Sequence, residues 1–435
     1  MNLYGTSAIT DKGHLSVGGI DTVQLSEKYG TALYVYDVAM IREKAKAFRK
    51  AFEQEEVNYQ VAYASKAFSC IAMIQLAEEE GLSLDVVSGG ELYTALKAGF
   101  PVDRIHFHGN NKSEAEIQMA LDAEIGCFVV DNFYELSLLE QLAEEKNVTA
   151  NVLLRITPGI EAHTHDYILT GQEDSKFGFD LQSGQVEQAI SRATEMRAIH
   201  LLGLHCHIGS QIFETNGFVM AIEKIYRYLK SYGYEPEVLN LGGGFGIRYT
   251  EADEPIPVGQ YVEAMINAVR TQVGNDMTMP EIWIEPGRSL VGEAGMTLYT
   301  VGSHKKVPEL RHYLAVDGGM TDNLRPALYQ AKYEATIANR MNEPKDQLYS
   351  VAGKCCESGD MLIWDCTLQR AIAGDTMAVF STGAYGYSMA NNYNRLPRPA
   401  VVFVENGEAN LVVRRESYED LIRHDLPLKH AIISK

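Results

Sequence analysis

The chain has 435 residues, of which 46% are hydrophobic and 22% charged, an ordinary composition for a folded globular protein. Acidic residues outnumber basic ones 58 to 38, so the formal net charge is −20 at pH 7. A net charge of this sign repels phosphate backbones, so nucleic acid is excluded as an expected partner.

The cysteines and the N-terminus predict a cytoplasmic protein. Six cysteines are scattered along the chain with no CxxC pair and no framework spacing, which is typical of reduced thiols. The opening stretch MNLYGTSAITDKGHL has neither a basic start nor an apolar core, so we expect no export signal. No apolar run approaches the roughly 20 residues of a membrane span, so we expect no membrane association.

From residue 57 to 289 the chain alternates strand-like and helix-like segments. Eight such repeats predict an α/β fold, a (β/α)8 TIM-like barrel over residues 36–289. The alternative is an open doubly wound sheet, but no strand is followed by a GxGxxG dinucleotide turn. The strand candidates are VNYQVAYAS, LSLDVVS, RIHFHG, GCFVVD, NVLLRITP, LLGLHCHIGS, EVLNLGGG and EIWIEPG, and the helix candidates include residues 69–81, 90–100 and 112–126.

After residue 290 strand-like runs dominate and predict a C-terminal all-β domain. The runs are MTLYTVGSHKKV, HYLAVDGG, QLYSVAG, DMLIWDCTL, TMAVFSTGAY and AVVFVENGEANLVVRR, in which ENGE is a hairpin turn signal. Residues 1–35, with the strand-like TALYVYD at their end, are expected to pack with residues 290–435 in this domain.

Polar and charged side chains follow the carboxyl ends of the predicted barrel strands, where this fold builds its active sites. In chain order they are Lys66, Asp85 with Ser88, His108 with Asn110, Asp131 with Asn132, Arg155, His207 with Ser210, Gly242–Gly244, and Glu285 with Arg288.

Three of these strand ends together indicate a phosphate site. The stretch NLGGGFG (240–246) offers successive glycines whose amides can approach an oxyanion closely. Ser210 follows a glycine in HIGS, and Arg288 ends EPGR. A glycine run alone is weak evidence for phosphate, since it can be a mere tight turn. Three such features on neighbouring strands, at the barrel position where phosphates commonly bind, support phosphate about as well as the structural explanation.

Lys66 extends this inference to a cofactor. A free lysine amine is almost wholly protonated at neutral pH and is a poor nucleophile, but it becomes useful as an imine with a carbonyl compound. Pyridoxal phosphate combines a phosphate, a lysine imine and an electron-withdrawing ring. Glu285 is then expected to keep the ring nitrogen protonated, and His207 to stack on the ring.

The histidine pairs allow a different interpretation. His205 and His207 lie two apart on a strand and are candidate metal ligands, although no third ligand of matching spacing is evident. His163 and His165 form a similar pair in EAHTHDY, for which a loop on the surface is the simpler explanation. We therefore predict no metal site.

Seven ordered motifs resemble one family, the diaminopimelate decarboxylases. These are pyridoxal phosphate enzymes of the alanine-racemase-like barrel fold. The resemblance extends from about residue 30 to residue 430, through the motifs YASKA, HCHIGSQ, NLGGGFG, EPGR, DGGMTDNLRPALY, CESGD and GAYGYSM.

The resemblance implies roles for particular residues. Lys66, Cys356 and His207 would be catalytic, with Cys356 protonating the carbon that carbon dioxide leaves. The active unit would be a homodimer in which the segment of Cys356 and Glu357 reaches the neighbouring barrel. Cofactor contacts would come from Lys66, Asp85, His207, Ser210, Gly243, Gly244, Glu285, Gly287, Arg288 and Tyr385; substrate contacts would come from Arg288, Arg325, Tyr329, Glu357 and Tyr385.

The implied reaction is the decarboxylation of meso-2,6-diaminopimelate to L-lysine, the last step of lysine biosynthesis. Ornithine and arginine decarboxylases of this fold typically have Asp after the cysteine, where this chain has Glu357. Amino-acid racemases of this fold typically place Arg opposite the ring nitrogen, where this chain has Glu285. A catalytically silent regulator would tend to lose Lys66 or Cys356, and a pyridoxal phosphate carrier would lack the β domain.

The chain departs from the family pattern at one point. Family members commonly have Gly-Pro before the cysteine motif, where this chain has Lys354 and Cys355 in AGKCCESGD. Cys356, directly before Glu357, is the expected proton donor, and Cys355 is expected to be a packing or bystander residue. The lost proline raises the question of what makes this loop rigid.

Overall fold

The computed structural model describes residues 3–160 and 175–428. These residues form two compact units: the described residues between 39 and 294 form the first, and those between 3 and 38 and between 295 and 428 form the second. His163 and His165 lie outside the described residues, so the structure does not test their interpretation as a surface loop.

Eight parallel strands of the first unit form a closed barrel, which confirms the predicted fold class. Each strand pairs with the next along the chain, including the fourth with the fifth. The eighth strand pairs with the first, so the ring has no free edge. A further short strand, Phe179–Asp180, extends beside the fifth. The barrel strands are Tyr59–Ala64, Ser83–Val86, Ile105–Phe107, Cys127–Val130, Ala150–Thr157, Ile199–Cys206, Val238–Asn240 and Glu281–Ile284.

Helices follow the strands as predicted, and their caps explain two of the polar strand-end residues. Ser88 Oγ accepts a hydrogen bond from Glu91 N at 3.2 Å, and Asn132 Oδ1 accepts one from Glu135 N at 3.0 Å. Both residues therefore begin helices as N-caps. No helix in the described ranges is long and apolar enough to span a bilayer. The helices of this unit are Val38–Glu55, Ile71–Glu79, Gly89–Ala98, Glu114–Asp122, Phe133–Lys146, Gln185–Glu195, Asn216–Tyr232, Val258–Val273 and Arg288–Val291.

An aromatic cluster supports the loop that contains the glycine run. The ring of Phe245 lies 5.2 Å from that of Phe48, 5.6 Å from that of Phe218 and 5.3 Å from that of Tyr261. All four side chains are buried. Each such aromatic contact adds about 0.5–1.5 kcal/mol beyond burial, so the helices hold this strand-end loop in a defined position.

The second unit is a mostly antiparallel sheet, as predicted for the C-terminal domain. Leu33–Asp37 lies between Gly295–Val307 and Ala400–Glu405, so the start of the chain contributes a central strand. The other strands of the sheet are Arg311–Val316, Ala335–Ile337, Gln347–Ala352, Met361–Leu368, Thr376–Val379 and Glu408–Val413; a separate small sheet consists of Ala8–Ile9, Leu15–Val17 and Ile20–Asp21, and the short helices are Thr22–Tyr29, Arg325–Tyr329 and Tyr418–Ile422.

Two turns of this unit show where sequence patterns predict chain reversal well and where they do not. At the ENGE signal Asn406 and Gly407 have φ values of 51° and 82°, so a left-handed two-residue turn joins the last two strands as expected. The run TMAVFSTGAY was predicted as one strand, but the strand ends at Val379. Ser381 and Tyr385 both have a φ of 57°, a conformation that no strand accommodates.

Candidate active site

Glu285 follows the eighth barrel strand and is the centre of a buried polar cluster. Its side chain is only 7% exposed. Asn240 Nδ2 donates to Oε1 at 2.6 Å, His108 Nε2 lies 2.8 Å from the same oxygen, and His205 Nε2 lies 3.1 Å from Oε2. Burial opposes ionisation, yet the charges of His108 and His205 hold the pKa of Glu285 well below its usual range. Glu285 is therefore an ionised carboxylate inside the barrel.

Asp85, at the end of the second strand, is a second buried carboxyl group, and its pKa is shifted in the opposite direction from that of Glu285. It is 3% exposed, and its Oδ1 lies 3.8 Å from His108 Nε2, beyond hydrogen-bond distance. Burial raises the pKa of Asp85 to about 6, although His108 acts to lower it.

The glycine run forms a tightly packed cradle beside Glu285. A Cβ atom on Gly243 would lie 2.2 Å from the carbonyl oxygen of Glu285, and one on Gly244 would lie 2.3 Å from that of Gly209. Gly244 also has a φ of 103°, which disfavours any side chain. Only glycine therefore lets the loops after the sixth, seventh and eighth strands approach this closely.

His207 is held in one tautomer by the same loop. Gly243 N donates to His207 Nδ1 at 3.3 Å, so that nitrogen is the acceptor and the ring proton lies on Nε2. Burial, followed by the charge of Lys66, keeps the pKa of His207 well below its usual range. A neutral imidazole of this kind presents a flat face to a neighbouring ring.

Arg288 and Ser210 provide a cation and a hydroxyl group at the adjoining strand ends. Nη2 of the buried Arg288 guanidinium donates to Ser210 Oγ at 3.0 Å, and Nη1 donates to the hydroxyl of Tyr249. Gly287 makes this position possible, since a Cβ there would lie 3.0 Å from that of Ala64 on the first strand. An arginine, a hydroxyl and glycine amides are the donors that a phosphate requires.

Lys66 lies directly after the first strand, in the short 3₁₀ turn Ser65–Ala67, with an exposed side chain. Its positive charge lowers the pKa of both Asp85 and His207, so the amine acts electrostatically on this same cluster. The strand end therefore presents a primary amine at the mouth of the buried site.

The residues of this unit fit pyridoxal phosphate by the chemistry of their donors. The amine can react with the aldehyde of that cofactor, and the buried ionised carboxylate can pair with its ring nitrogen. The neutral imidazole can stack on the ring face, and the glycine cradle with the arginine can hold the phosphate. These groups come from the ends of the first, sixth, seventh and eighth strands, as is usual for a barrel enzyme.

The same cluster contains a possible set of metal ligands. One ligand atom each of His108, His205 and Glu285 lies within 4.8 Å of the others. The sequence suggested His205 and His207 as a ligand pair, but the structure separates their roles. His205 contacts Glu285, whereas His207 accepts a hydrogen bond from the Gly243 amide. His205 Nε2 already makes a hydrogen bond to one carboxylate oxygen, and His108 Nε2 lies 2.8 Å from the other.

The remaining candidate residues belong to the β unit, with Arg325 at the start of a short helix. Arg325 is 5% exposed and donates to the hydroxyl of Tyr333 at 2.7 Å, whereas Tyr329 is 39% exposed. Tyr385 is partly buried in its left-handed backbone conformation. The packing therefore fixes Arg325, whereas Tyr329 and Tyr385 remain at least partly accessible to solvent.

Cys356 and Glu357 are exposed, and Asp360 anchors their segment. Asp360 Oδ2 accepts from Cys355 N at 2.7 Å, and its Oδ1 accepts from Met320 N at 2.6 Å. Glu357 Oε1 accepts from Gly359 N at 3.3 Å. A carboxylate that accepts hydrogen bonds from two backbone amides restrains the chain at both places. Asp360 therefore makes this loop rigid although the proline is missing.

The two adjacent thiols differ in environment. Cys355 is partly buried, and burial together with Asp360 raises the pKa of its thiol to about 12. Cys356 is exposed, and its backbone amide donates to Asn394 Oδ1 at 2.8 Å. Cys355 therefore stays protonated and sheltered, whereas Cys356 is the accessible thiol.

The sequence patterns assigned no role to three residues that surround Glu285. His108 appeared only among the strand-end residues, His205 only as a metal candidate, and Asn240 only as part of the glycine motif. The signal for the two histidines was the alternation in RIHFHG and HCH, because alternate residues of a barrel strand face the interior.

Comparisons with known proteins agree with this geometry. Residues 38–292 match a family model described as the pyridoxal binding domain of pyridoxal-dependent decarboxylases. The chain is 69% identical over 433 residues to a diaminopimelate decarboxylase of Halalkalibacterium halodurans, covering 98% of this chain and 99% of the relative. It is 66% identical over 437 residues to that of Bacillus subtilis, covering 99% and 100%. The crystal structure of diaminopimelate decarboxylase from M. jannaschii with L-lysine matches with a TM-score of 0.92 at 38% identity over 98% of both chains.

Proposed function

The chain belongs to the diaminopimelate decarboxylase family of pyridoxal-dependent decarboxylases, and we propose that it converts meso-2,6-diaminopimelate to L-lysine and carbon dioxide. The observation that carries this proposal is the ionised Glu285 inside a barrel whose neighbouring strand ends offer a lysine and a phosphate cradle. Full-length identity of 66–69% to relatives with that name supports the choice of substrate.

Pyridoxal phosphate, when bound, supplies an electron-withdrawing ring that takes up the electron pair left by the departing carboxylate. Lys66 would bind its aldehyde carbon, Glu285 its ring nitrogen and His207 its ring face. The remaining contacts would come from Asp85, Ser210, Gly243, Gly244, Gly287, Arg288 and Tyr385.

Glu285 favours decarboxylation over racemisation. A carboxylate opposite the ring nitrogen keeps that nitrogen protonated, which gives the ring its full capacity to withdraw electrons. The contacts from His108, His205 and Asn240 support this assignment, because they stabilise the anionic form of Glu285.

The substrate would be recognised by its two ends. Arg288, Arg325, Tyr329 and Tyr385 would bind the carboxylate that does not react, and Glu357 would bind the distal ammonium. Bidentate contacts between arginine and carboxylate are geometrically demanding. A diamine precursor such as ornithine has no distal carboxylate for Arg325 to bind, so it would be rejected.

Cys356 would deliver the proton that replaces carbon dioxide, and its exposure supports a role at an interface. In the single chain Cys356 and Glu357 are open to solvent on a segment that Asp360 holds rigid. A homodimer in which each segment completes the partner's site would give both residues a function, with the active protein in the cytoplasm.

The test of this function is carbon dioxide release by purified protein with pyridoxal phosphate, in parallel with meso-diaminopimelate, ornithine, arginine and lysine. We expect release from diaminopimelate alone, with lysine as the product. Release from ornithine or arginine would keep the cofactor chemistry and contradict the roles of Arg325 and Glu357. Racemised substrate without carbon dioxide release would favour an amino-acid racemase of the same fold.

Glu357→Gln is expected to raise the KM for diaminopimelate about tenfold to a hundredfold, because a charged contact to the distal ammonium is lost. Affinity for pyridoxal phosphate should change less than about twofold. The matched control is Glu408→Gln, an exposed glutamate in the hairpin of the same unit. Steady-state kinetics and cofactor titration separate the two effects, and a loss of cofactor affinity instead would remove Glu357 from the substrate site.

A further inference from the structure

Buried side chains of the barrel contact both oxygens of the Glu285 carboxylate. Asn240 Nδ2 donates to Oε1 at 2.6 Å, and His108 Nε2 lies 2.8 Å from the same oxygen, at ion-pair distance but without a hydrogen bond of good geometry. Oε2 is approached by His205 Nε2 at 3.1 Å. Among the described residues no other group contacts Oε2, so one acceptor position is left on that oxygen.

The two histidine rings approach the carboxylate from different directions. Their planes cross at 74° with centroids 4.9 Å apart, so both Nε2 atoms converge on one carboxylate without stacking. The Nδ1 atom of His205 is buried without a hydrogen-bond partner among the described residues, so this ring makes its polar contact with Glu285 through Nε2.

We propose that His108 and His205 are positioning residues that orient the Glu285 carboxylate and aim the open acceptor position on its Oε2 at the ring nitrogen of the cofactor. This rests on the proposed function, because it presumes that the bound cofactor carries a pyridine nitrogen. Neither histidine touches the reacting atoms in this assignment. They act through Glu285.

The two buried carboxyl groups of the site support this division of roles. Glu285 and Asp85 are similarly buried, but only Glu285 has histidine nitrogens at hydrogen-bond distance. Burial raises the pKa of both carboxyl groups, but His108 and His205 lower that of Glu285 well below its usual range, so the histidine contacts distinguish Glu285 from Asp85.

The experiment compares two cofactors on full-length protein freed of its cofactor. One is pyridoxal phosphate, and the other is its 1-deaza analogue, in which a carbon replaces the ring nitrogen and cannot donate to Glu285. Dissociation constants for both would be measured for the unmodified protein and for His108→Leu, His205→Leu, His108→Gln and His205→Gln. The matched control is His106→Gln, because His106 is also buried but stacks on Trp283 and contacts Gln60.

We expect each leucine variant to bind pyridoxal phosphate about tenfold to a hundredfold more weakly, because an aligned charged contact is lost. Binding of the analogue should change less than about twofold. The glutamine variants retain an N–H donor, so they should lose about threefold or less on pyridoxal phosphate. His106→Gln should shift both constants equally or not at all.

Equal weakening of both cofactors in a leucine variant would mean that the histidine is merely structural and would overturn the proposal. Unchanged binding of both would overturn it as well. If a leucine variant does not fold, a phenylalanine variant replaces it, because phenylalanine keeps a flat ring but has no N–H donor; it should weaken pyridoxal phosphate binding about tenfold or more and leave the analogue unchanged, and any other result would overturn the proposal. If the unmodified protein binds neither compound, the proposed function itself fails.

Discussion

Lys66→Ala is expected to abolish the covalent bond between protein and cofactor and to lower carbon dioxide release by roughly a thousandfold or more. The reason is that Lys66 carries the primary amine at the mouth of the site, directly after the first strand. Borohydride reduction followed by peptide mass spectrometry should find the cofactor on the peptide containing residue 66 in the unmodified protein and on no peptide of the variant.

Lys97→Ala is the control for this experiment, because Lys97 is an exposed lysine on a helix of the same barrel. It should keep both the labelled peptide and an activity within about twofold. Labelling that persists in Lys66→Ala at another lysine would remove Lys66 from the proposed mechanism and would require a different anchor for the cofactor.

Glu285→Gln is expected to lower kcat by about a hundredfold to a thousandfold while the chain still folds. An amide has nearly the same shape as the carboxylate but no negative charge, so it cannot keep a ring nitrogen protonated. It also presents an N–H group where His108, His205 and Asn240 lie at donor distance, so one of these contacts must be lost.

Glu281→Gln, at the other end of the same strand, is the matched control for that substitution. It should leave kcat within about twofold, since Glu281 lies at the amino end of the barrel, away from the strand ends that build the site. Rates for both variants should be measured at saturating cofactor, so that weak binding is not mistaken for slow chemistry. A fully active Glu285→Gln would contradict the role of the ring-nitrogen partner.

The sequence predicted the barrel well because its signals are local. Each strand is a short apolar run bounded by turn residues, and eight repeats of strand and helix close into one parallel ring. The hairpin at Asn406 and Gly407 was equally predictable, because its turn type is encoded in two residues. The end of the strand Thr376–Val379 was not, since the left-handed Ser381 and Tyr385 are residues with no such preference.

By itself the sequence determined the fold class, the lysine at the first strand end and the glycine motifs, because each depends on neighbouring residues or on the order of elements. Only the tertiary structure decided that His108, Asn240 and His205 converge on Glu285 and that Asp360 clamps the Cys356 segment. His205 and Asn240 lie 80 and 45 residues from Glu285 along the chain. Which inward-facing side chains meet is set by the register of a closed barrel, and no local pattern encodes that register.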